Sequence, residues 1–225
     1  RHGGYDGHGR RVFEPEPAHA ALARVRVARG HAGRLLVVTL GPLTNLALAL
    51  RLDPDLPARV GRLVVMGGAV TGRRNTSVSA EFNIGFDPEA ADVVFRSFPR
   101  FELVDWEAVL RHGFSHRHFE AWLDAGGPAA AFYREVSRHT RMWSEDGRGP
   151  LWHSADALAM AVALQPDGLA RAEHRHLAVE LEGRLSRGAT VVDWQQRSGR
   201  PANAVLAMEY DQARFEAQLQ AALRA

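Results

Sequence analysis

Short apolar runs alternate with helical segments along this chain, and this alternation constrains the fold more than any other feature. Three of the runs are the β-rich stretches Leu35–Thr39, Leu63–Met66 and Phe101–Val104. A helical segment, Leu43–Leu52, follows the first run, and another, Glu89–Phe95, lies between the second and third. Runs that are apolar throughout are typical of strands buried on both faces, and helices between them connect parallel strands. The pattern therefore predicts an α/β fold with a mainly parallel open sheet and flanking helices.

The second half of the chain is predicted to add helices and further strands. We expect helix from His116 to Met142 with a break at Gly126-Gly127-Pro128, a loop at Asp146–Pro150, a helix at Asp156–Leu164, a strand pair at Leu177–Leu181 and Thr190–Asp193, a strand at Ala204–Met208 and a terminal helix at Asp211–Arg224. No repeat or linker divides the sequence, and 225 residues, 46% of them hydrophobic, suffice for one sizeable core. We therefore predict a single domain over residues 1–225.

Composition excludes several kinds of chemistry. The chain has no Cys, which excludes disulfides, thiolate catalysis and zinc–thiolate sites. All 28 basic residues are Arg, so a Schiff-base or P-loop Lys is excluded as well. A net charge of +2 provides no strong field for nucleic acid, and no apolar run approaches the roughly 18 residues that span a membrane. These properties predict a cytoplasmic protein that binds neither nucleic acid nor membrane.

A polar loop follows the second apolar run, which ends at Met66 before two glycines. The loop carries Asn75, Glu81 and Asn83, and it ends at Asp87, predicted to be the N-cap of a helix whose first residue is proline. Open α/β sheets bind their ligands at loops that follow the carboxyl ends of strands. Two amides and one carboxylate suit a neutral polyhydroxylated ligand such as a sugar, and they suit a phosphate poorly because none of the three is a cation.

Glu81 and Asn83 are two residues apart, and in an extended segment both side chains would point to one side. Joint action of the two on one ligand is therefore expected. The alternative is a polar surface loop with Asx turns.

Five motifs occur in order over nearly the whole chain and resemble those of the inosine–uridine-preferring nucleoside hydrolase family. They are the pairs His2-Gly3 and Asp6-Gly7, the turn Thr39–Ala47, the stretch from Val64 to Ala91, the segment Asp156–Ala161 and the stretch from Val179 to Asp193. The resemblance implies the nucleoside hydrolase fold and calcium-dependent hydrolysis of ribonucleosides to ribose and free base. It also implies a small-molecule nucleoside substrate and a possible homo-oligomer.

The resemblance assigns roles on the sugar side of the site. It implies that Asn75, Glu81 and Asn83 hold the ribose hydroxyls and that Met66 lines the pocket beside the sugar. For Met66 the alternative, a core residue at the end of a strand, is almost as good.

The resemblance also implies a metal side. Asp156 and the backbone carbonyl of Leu40 would be calcium ligands, and both supply the hard oxygen that this cation prefers. On spacing alone, Asp156 would instead be a helix N-cap or a first-turn carboxylate favoured by the helix dipole. Asp105, at the end of the third apolar run with Trp106 after it, is a further candidate for the rim of the pocket.

The chain departs from the family pattern at its start. The family opens with a strand that ends in Asp-x-Asp-x-x-x-Asp-Asp, which supplies most calcium ligands and the general base. This sequence begins at Arg1 and contains no such cluster. We interpret it as a fragment, or a gene model without the first strand and the Asp-rich loop, and we expect the chain alone to bind calcium weakly and to turn over nucleosides poorly.

The second departure concerns the leaving group. Many family members have His immediately before the late metal-binding Asp, where it protonates the departing base, but this chain has Ala155. His153 is the remaining candidate, with an exposed surface His as the alternative, and Trp152 would stack on a nucleobase or cover the core. A catalytically silent nucleoside- or sugar-binding relative is therefore the alternative function, whereas the missing Gly-x-Ser-x-Gly elbow disfavours other α/β hydrolases.

Overall fold

The computed structural model describes residues 17–72, 75–147 and 149–225, so the pairs at His2 and Asp6 lie outside the described residues. The helices are α1 (Ala20–Gly30), α2 (Thr44–Leu52), α3 (Leu56–Arg59), α4 (Phe82–Phe86), α5 (Pro88–Ser97), α6 (Trp106–Arg111), α7 (His116–Asp124), α8 (Pro128–Gly147), α9 (Ala155–Leu164) and α10 (Gln212–Arg224). The strands are β1 (Leu35–Thr39), β2 (Val60–Met66), β3 (Phe101–Val104), β4 (Phe114–Ser115), β5 (Leu151–Trp152), β6 (Leu169–Arg175), β7 (Leu177–Val179), β8 (Thr190–Val192) and β9 (Ala204–Tyr210).

By their contacts, the described residues group into two units. The sheet unit comprises residues 18–111 and 155–210, and the helical unit comprises residues 112–154 and 211–225 together with Pro17. The prediction of one domain over the whole chain stays a prediction.

The sheet unit contains a five-stranded sheet with the order β1-β2-β3-β9-β6. The first four strands are parallel, and β6 pairs antiparallel with β9. A separate antiparallel pair, β7 with β8, matches the strand pair predicted for this region. The α/β fold with a mainly parallel sheet and flanking helices is therefore confirmed.

The register of the sheet brings the ends of three strands to one edge. Thr39 at the end of β1 pairs with Val65, and Met66 at the end of β2 pairs with Val104 at the end of β3. Consequently Leu40 and the segments that follow β2 and β3 all leave the sheet at the same edge. In β2 and β3, Val64, Val65 and Leu103 are fully buried. Parallel strands covered on both faces need apolar residues throughout, which is why these two apolar runs form strands.

Strand β1 differs from the prediction in its burial. It has the predicted bounds, but its residues are partly exposed, and Leu36 is exposed. Among the described strands β1 is an edge strand, paired with β2 alone, so one side of it has no neighbouring strand to cover it.

Two further segments differ from the sequence analysis. The segment after Glu81 was expected to be extended, and this is wrong, since residues 82–86 form the short helix α4. Strand β6 was not predicted, because Leu169–Arg175 alternates small and charged residues and contains no apolar run. The loop predicted from Asp146 begins later, since α8 continues to Gly147.

The helical unit has an aromatic core. The ring of Phe114 lies 5.2 Å from that of Phe215 and 5.0 Å from that of Trp122, measured between centroids. The predicted break between α7 and α8 is confirmed, and Gly127 occupies it because a Cβ there would lie 2.7 Å from the carbonyl oxygen of Arg224. No helix of the described residues is both long and apolar enough to traverse a bilayer.

Candidate functional site

The loop that follows β2, residues 67–72, is the centre of the candidate site, and we call it the glycine loop. Gly67 continues the pairing of β2 with β3, because its N–H donates to the carbonyl of Val104 at 3.1 Å. Gly68 has φ +77°, a left-handed conformation that favours glycine. A Cβ on Gly68 would also lie 2.7 Å from the methyl group of Thr190, so only glycine lets the two segments approach.

Four consecutive backbone N–H groups of the glycine loop, at residues 68–71, donate to side chains from separate parts of the chain. In order, the acceptors are Glu81, Thr190, Asp105 and Glu107, at N···O distances of 2.9, 3.0, 2.9 and 3.0 Å. The Thr190 hydroxyl also donates to the carbonyl of the residue whose N–H it accepts, at 2.9 Å. Buried backbone N–H groups need acceptors, and here side chains supply all four.

Glu81 is the N-cap of α4 and is only 3% exposed. Its Oε2 accepts from the N–H groups of Gly68, Asn83 and Ile84 at 2.9, 2.9 and 3.2 Å, and its Oε1 accepts from that of Asn83 at 3.0 Å. Burial raises the pKa of this carboxyl, while these backbone bonds and one from the Asn75 side chain oppose the rise. Glu81 and Asn83 therefore meet through a helix cap and not through an extended segment.

The four residues predicted to bind substrate form one hydrogen-bonded cluster, which we call the ribose cluster: Met66, Asn75, Glu81 and Asn83. The Asn83 amide donates to the carbonyl oxygen and to the sulfur of Met66, each at 3.2 Å. The Asn75 amide oxygen accepts from the N–H of Phe82 at 2.9 Å. The sequence placed Asn75, Glu81 and Asn83 on one loop and Met66 at the end of the strand before it, and the structure brings all four together.

Two acidic residues accept hydrogen bonds from the glycine loop, Asp105 directly after β3 and Glu107 in α6, and these bonds were not predicted from the sequence. Asp105 was expected at a pocket rim, but it is 2% exposed, with Oδ2 accepting from Val70 N at 2.9 Å and Oδ1 from Ala108 N at 2.8 Å. Glu107, also buried, accepts from both the N–H and the hydroxyl of Thr71. The sequence signal that could have indicated this role is the position of Asp105 and Glu107 just after a buried strand.

Burial raises the pKa of Asp105 to about 6. The bonds from Val70 and Ala108 and the charge of Arg111 oppose this rise, whereas the charge of Glu107 adds to it. The carboxylate thus gains little from opposite charge and is held mainly by backbone dipoles.

Asp156 lies in the first turn of α9, in the sheet unit. The residue is exposed, yet the atoms around its carboxylate remove enough water to raise its pKa, and no hydrogen bond or charge from the described residues opposes that shift. The far end of α9 is fixed by Arg62 of β2, which donates to the carbonyls of Val162 and Ala163 at 2.9 and 2.7 Å.

Leu40, the other predicted metal ligand, follows β1 at the sheet edge from which the glycine loop also leaves. Its carbonyl and the Asp156 carboxylate are hard oxygen donors and fit calcium in type. The described residues contain no group of three or more acidic or histidine side chains that could hold a metal ion. Within them, the predicted metal side is limited to the Asp156 carboxylate and the Leu40 carbonyl.

His153 belongs to the helical unit, where it follows β5. It packs against the bend at Gly113, since a Cβ there would lie 2.8 Å from His153 Nε2. Its neighbour Trp152 is buried and stacks on Phe119, with ring centroids 5.8 Å apart. The contacts of Trp152 match the core-covering alternative.

Comparison of the sequence with known proteins gives consistent matches. A family model described as inosine-uridine preferring nucleoside hydrolase matches residues 2–217. Similar proteins include the pyrimidine-specific ribonucleoside hydrolase RihA of Salmonella newport (strain SL254), 32% identical over 211 residues, which are 89% of this chain and 67% of that protein. RihA of Klebsiella pneumoniae (strain 342) is 32% identical over 91% of this chain and 66% of its own length. The chain thus spans about two thirds of the length of these relatives.

Solved structures share the fold. An inosine-guanosine nucleoside hydrolase superposes with a TM-score of 0.85 at 28% identity, covering 93% of this chain and 68% of that one. A purine-preferring ribonucleoside hydrolase from Gardnerella vaginalis gives 0.84 at 26% identity over 95% of this chain and 67% of its own. A plant nucleoside hydrolase, PpNRh1, gives 0.86 at 23% identity over 95% and 69%, a likeness of fold alone.

Proposed function

Because this chain belongs to the inosine-uridine preferring nucleoside hydrolase family, we propose that it acts in hydrolysis of the N-glycosidic bond of ribonucleosides to ribose and free base. The observation that carries the proposal is the ribose cluster, where one buried carboxylate and two amides converge beside a glycine loop at the carboxyl edge of a parallel sheet. Such an edge is where open α/β sheets bind ligands, and these groups suit a neutral sugar.

We assign the ribose contacts to particular atoms. Counting backbone N–H donors, Glu81 Oε2 accepts from three and Oε1 from one, in addition to the bond from the Asn75 side chain, and we assign Oε1 to a ribose hydroxyl. Asn83 donates through its nitrogen to Met66, which assigns its amide oxygen to a second hydroxyl. Asn75, whose side chain is hydrogen-bonded to Glu81, would be the third ribose contact.

These residues orient the sugar and do not transfer protons. Glycosidic cleavage develops oxocarbenium character on the sugar, and a fixed ribose holds the anomeric carbon in place for attack. The cluster is well suited to this because its own hydrogen bonds fix the side chains before a ligand arrives.

We propose calcium as the cofactor, held among the described residues by the Asp156 carboxylate and the Leu40 carbonyl. A bound calcium ion would supply positive charge that lowers the pKa of a water and orients a diol. Asp156 supports the proposal because no cationic group among the described residues acts on its partly desolvated carboxylate. The assignment of His153 as the group that protonates the base, the cytoplasmic location and the homo-oligomer stay predictions.

The names of the relatives point to different bases, since RihA is called pyrimidine-specific and the Gardnerella enzyme purine-preferring. We therefore propose a ribonucleoside substrate without naming the base. The second candidate is a relative that binds nucleosides without cleaving them. Ala155, which replaces the usual His before Asp156, favours it.

Calorimetric titration with uridine, inosine and ribose, together with an assay for released ribose, tests both candidates. We expect the chain to bind a nucleoside, Asn83→Ala to weaken binding at least about tenfold, and Glu89→Gln, which alters an exposed acid, to leave it unchanged. Binding with release of ribose supports the hydrolase, and binding without release supports the second candidate. Failure of all three ligands to bind would overturn the proposal, and robust hydrolysis would overturn the expectation of poor turnover.

A further inference from the structure

We propose that Asp105 and Glu107 are positioning residues: through Val70 and Thr71 they hold the glycine loop in the shape that the ribose cluster needs. Neither acid belongs to the ribose cluster or to the candidate metal side. The inference rests on the proposed function for its ligand measurement, but its measurement of the loop does not depend on that function.

The first step is the connection from Asp105 to Glu81. The glycine loop is short, and the N–H of Val70, which Asp105 accepts, is two residues from the N–H of Gly68, which Glu81 accepts. Glu81 Oε2 also accepts from Asn83, whose amide contacts Met66. A shift of residues 70–71 would therefore move the N–H group that fixes the Glu81 carboxylate.

The Asp105 carboxylate has a chemistry that suits it to hold the loop. Each Asp105 oxygen accepts one backbone N–H, Oδ2 from Val70 and Oδ1 from Ala108. Only the carboxylate presents two acceptor oxygens without a proton. Protonation would turn one oxygen into an O–H facing a donor, and Asn would place an NH₂ there, so either change removes one of the two bonds.

Burial makes the charge of Asp105 unfavourable, and few opposite charges compensate for it. A carboxylate that is 2% exposed is expensive to keep charged, and its pKa of about 6 reflects that burial. The charged groups that act on it among the described residues are Glu107 and Arg111 of α6, while the loop faces it with the Val70 N–H. Groups that are unfavourably buried but precisely bonded are frequent at functional sites.

The two roles that Asp105 could have are distinguishable. If it served only stability, Asp105→Asn would destabilise the whole protein. If it positions the loop, the same change would remove a buried charge and would not lower the free energy of unfolding at pH 7, while the glycine loop loosens and ligand binding weakens. At neutral pH the variant should then behave like the wild-type protein below pH 6.

Hydrogen exchange measured by mass spectrometry on the full chain tests the loop directly. We expect amides 68–71 to exchange about tenfold faster in Asp105→Asn than in wild type at pH 7.5, after correction for intrinsic rates. In wild type their protection should fall as the pH is lowered through about 6. Asp211→Asn, the same change at the N-cap of α10, is the control and should leave these amides protected.

Uridine and inosine titrations at pH 5 to 8 form the second arm. We expect several-fold weaker binding by Asp105→Asn at pH 7.5 and a flatter pH profile than that of wild type. Unchanged protection of amides 68–71 in Asp105→Asn, or a fall in protection spread evenly over the chain, would overturn the proposal.

One further variant and the wild-type pH series keep the test decisive. If Asp105→Asn does not fold, Thr71→Val, which removes the hydroxyl bond to Glu107, and the wild-type pH series decide, and protection that is unchanged in both overturns the proposal. If wild type binds neither nucleoside, the proposed function fails, but the exchange arm still decides whether the acids position the loop.

Discussion

The ribose cluster and the first turn of α9 contain the acids proposed for sugar and for metal, and they are built in opposite ways. Glu81 is buried, and its carboxylate accepts from three backbone N–H groups and from the Asn75 side chain. Asp156 is exposed as a residue, and no cation or hydrogen-bond donor among the described residues stabilises its charge. The Glu81 carboxylate thus stabilises the fold, whereas the Asp156 carboxylate remains available to a ligand.

The difference teaches what each side is suited to bind. A neutral sugar is recognised by hydrogen bonds of fixed direction, so the groups that make them are best fixed by the protein beforehand. A cation is attracted by net negative charge, so a carboxylate that already had a cationic partner would serve it poorly. The contrast predicts large stability effects on the ribose side and small ones on the metal side.

The largest effect should come from Glu81→Ala, which leaves the buried N–H groups of Gly68, Asn83 and Ile84 without an acceptor. We expect a loss of about 3 to 5 kcal/mol in the free energy of unfolding, measured by urea denaturation at pH 7, because each unsatisfied buried donor is costly. Glu89→Ala, an exposed acid paired with Arg187, is the control and should cost less than about 1 kcal/mol. Equal losses in the two variants would contradict the contrast.

The next effect concerns Asp105 and pH. Its pKa of about 6 in the folded state lies above its ordinary value of 3.8, so folding favours the protonated form. The stability that this group contributes is therefore fully present below about pH 4 and is lost as the pH rises through 6. Relative to Asp105→Asn, wild type should lose up to about 3 kcal/mol between pH 4 and 7. A difference that is flat, or that grows with pH, would show that the carboxyl does not titrate in this way.

A smaller effect is expected for Thr190→Val, which keeps the shape of the side chain and removes the hydroxyl. The N–H and carbonyl of Ala69 would both lose their partner, and we expect a loss of about 2 kcal/mol in urea denaturation. Thr39→Val is the matched control because its hydroxyl makes one long contact of 3.5 Å with Val64. If Thr39→Val costs as much as Thr190→Val, the hydroxyl of Thr190 has no special role.

The smallest effect on stability tests the metal side. Asp156→Ala should change the free energy of unfolding by less than about 0.5 kcal/mol, since the residue is exposed. Millimolar calcium should raise the melting temperature of wild type slightly by mass action, and that of the variant not at all. An equal rise in both proteins would remove Asp156 from the metal side.

Features set by local sequence could be predicted. The apolar runs gave strands β1, β2 and β3, and Asp87 with the proline after it gave the start of α5, where its carboxylate accepts from Ala90 N. Helix α4 could not be predicted from the sequence, because a five-residue segment that contains Gly85 has weak helix propensity and depends on the Glu81 cap.

Features that depend on tertiary position could not be predicted from the sequence. Nothing local to Asp105 or Glu107 indicates that each accepts an N–H group from a loop more than 30 residues earlier. Likewise the partly exposed state of β1 depends on which strands lie beside it and not on its own composition. The membership of the ribose cluster was predictable, whereas the side chains that support it were not.

The bond between Ala69 and Thr190 joins residues that are 121 positions apart. A contact of such sequence separation forms only after a large loss of chain entropy, so it belongs to the slow events of folding. During synthesis on the ribosome, the sheet from β1 to β3 emerges well before β8 exists. The glycine loop therefore acquires its final shape late, and a nascent chain goes through a period in which its sheet is forming but this loop is not.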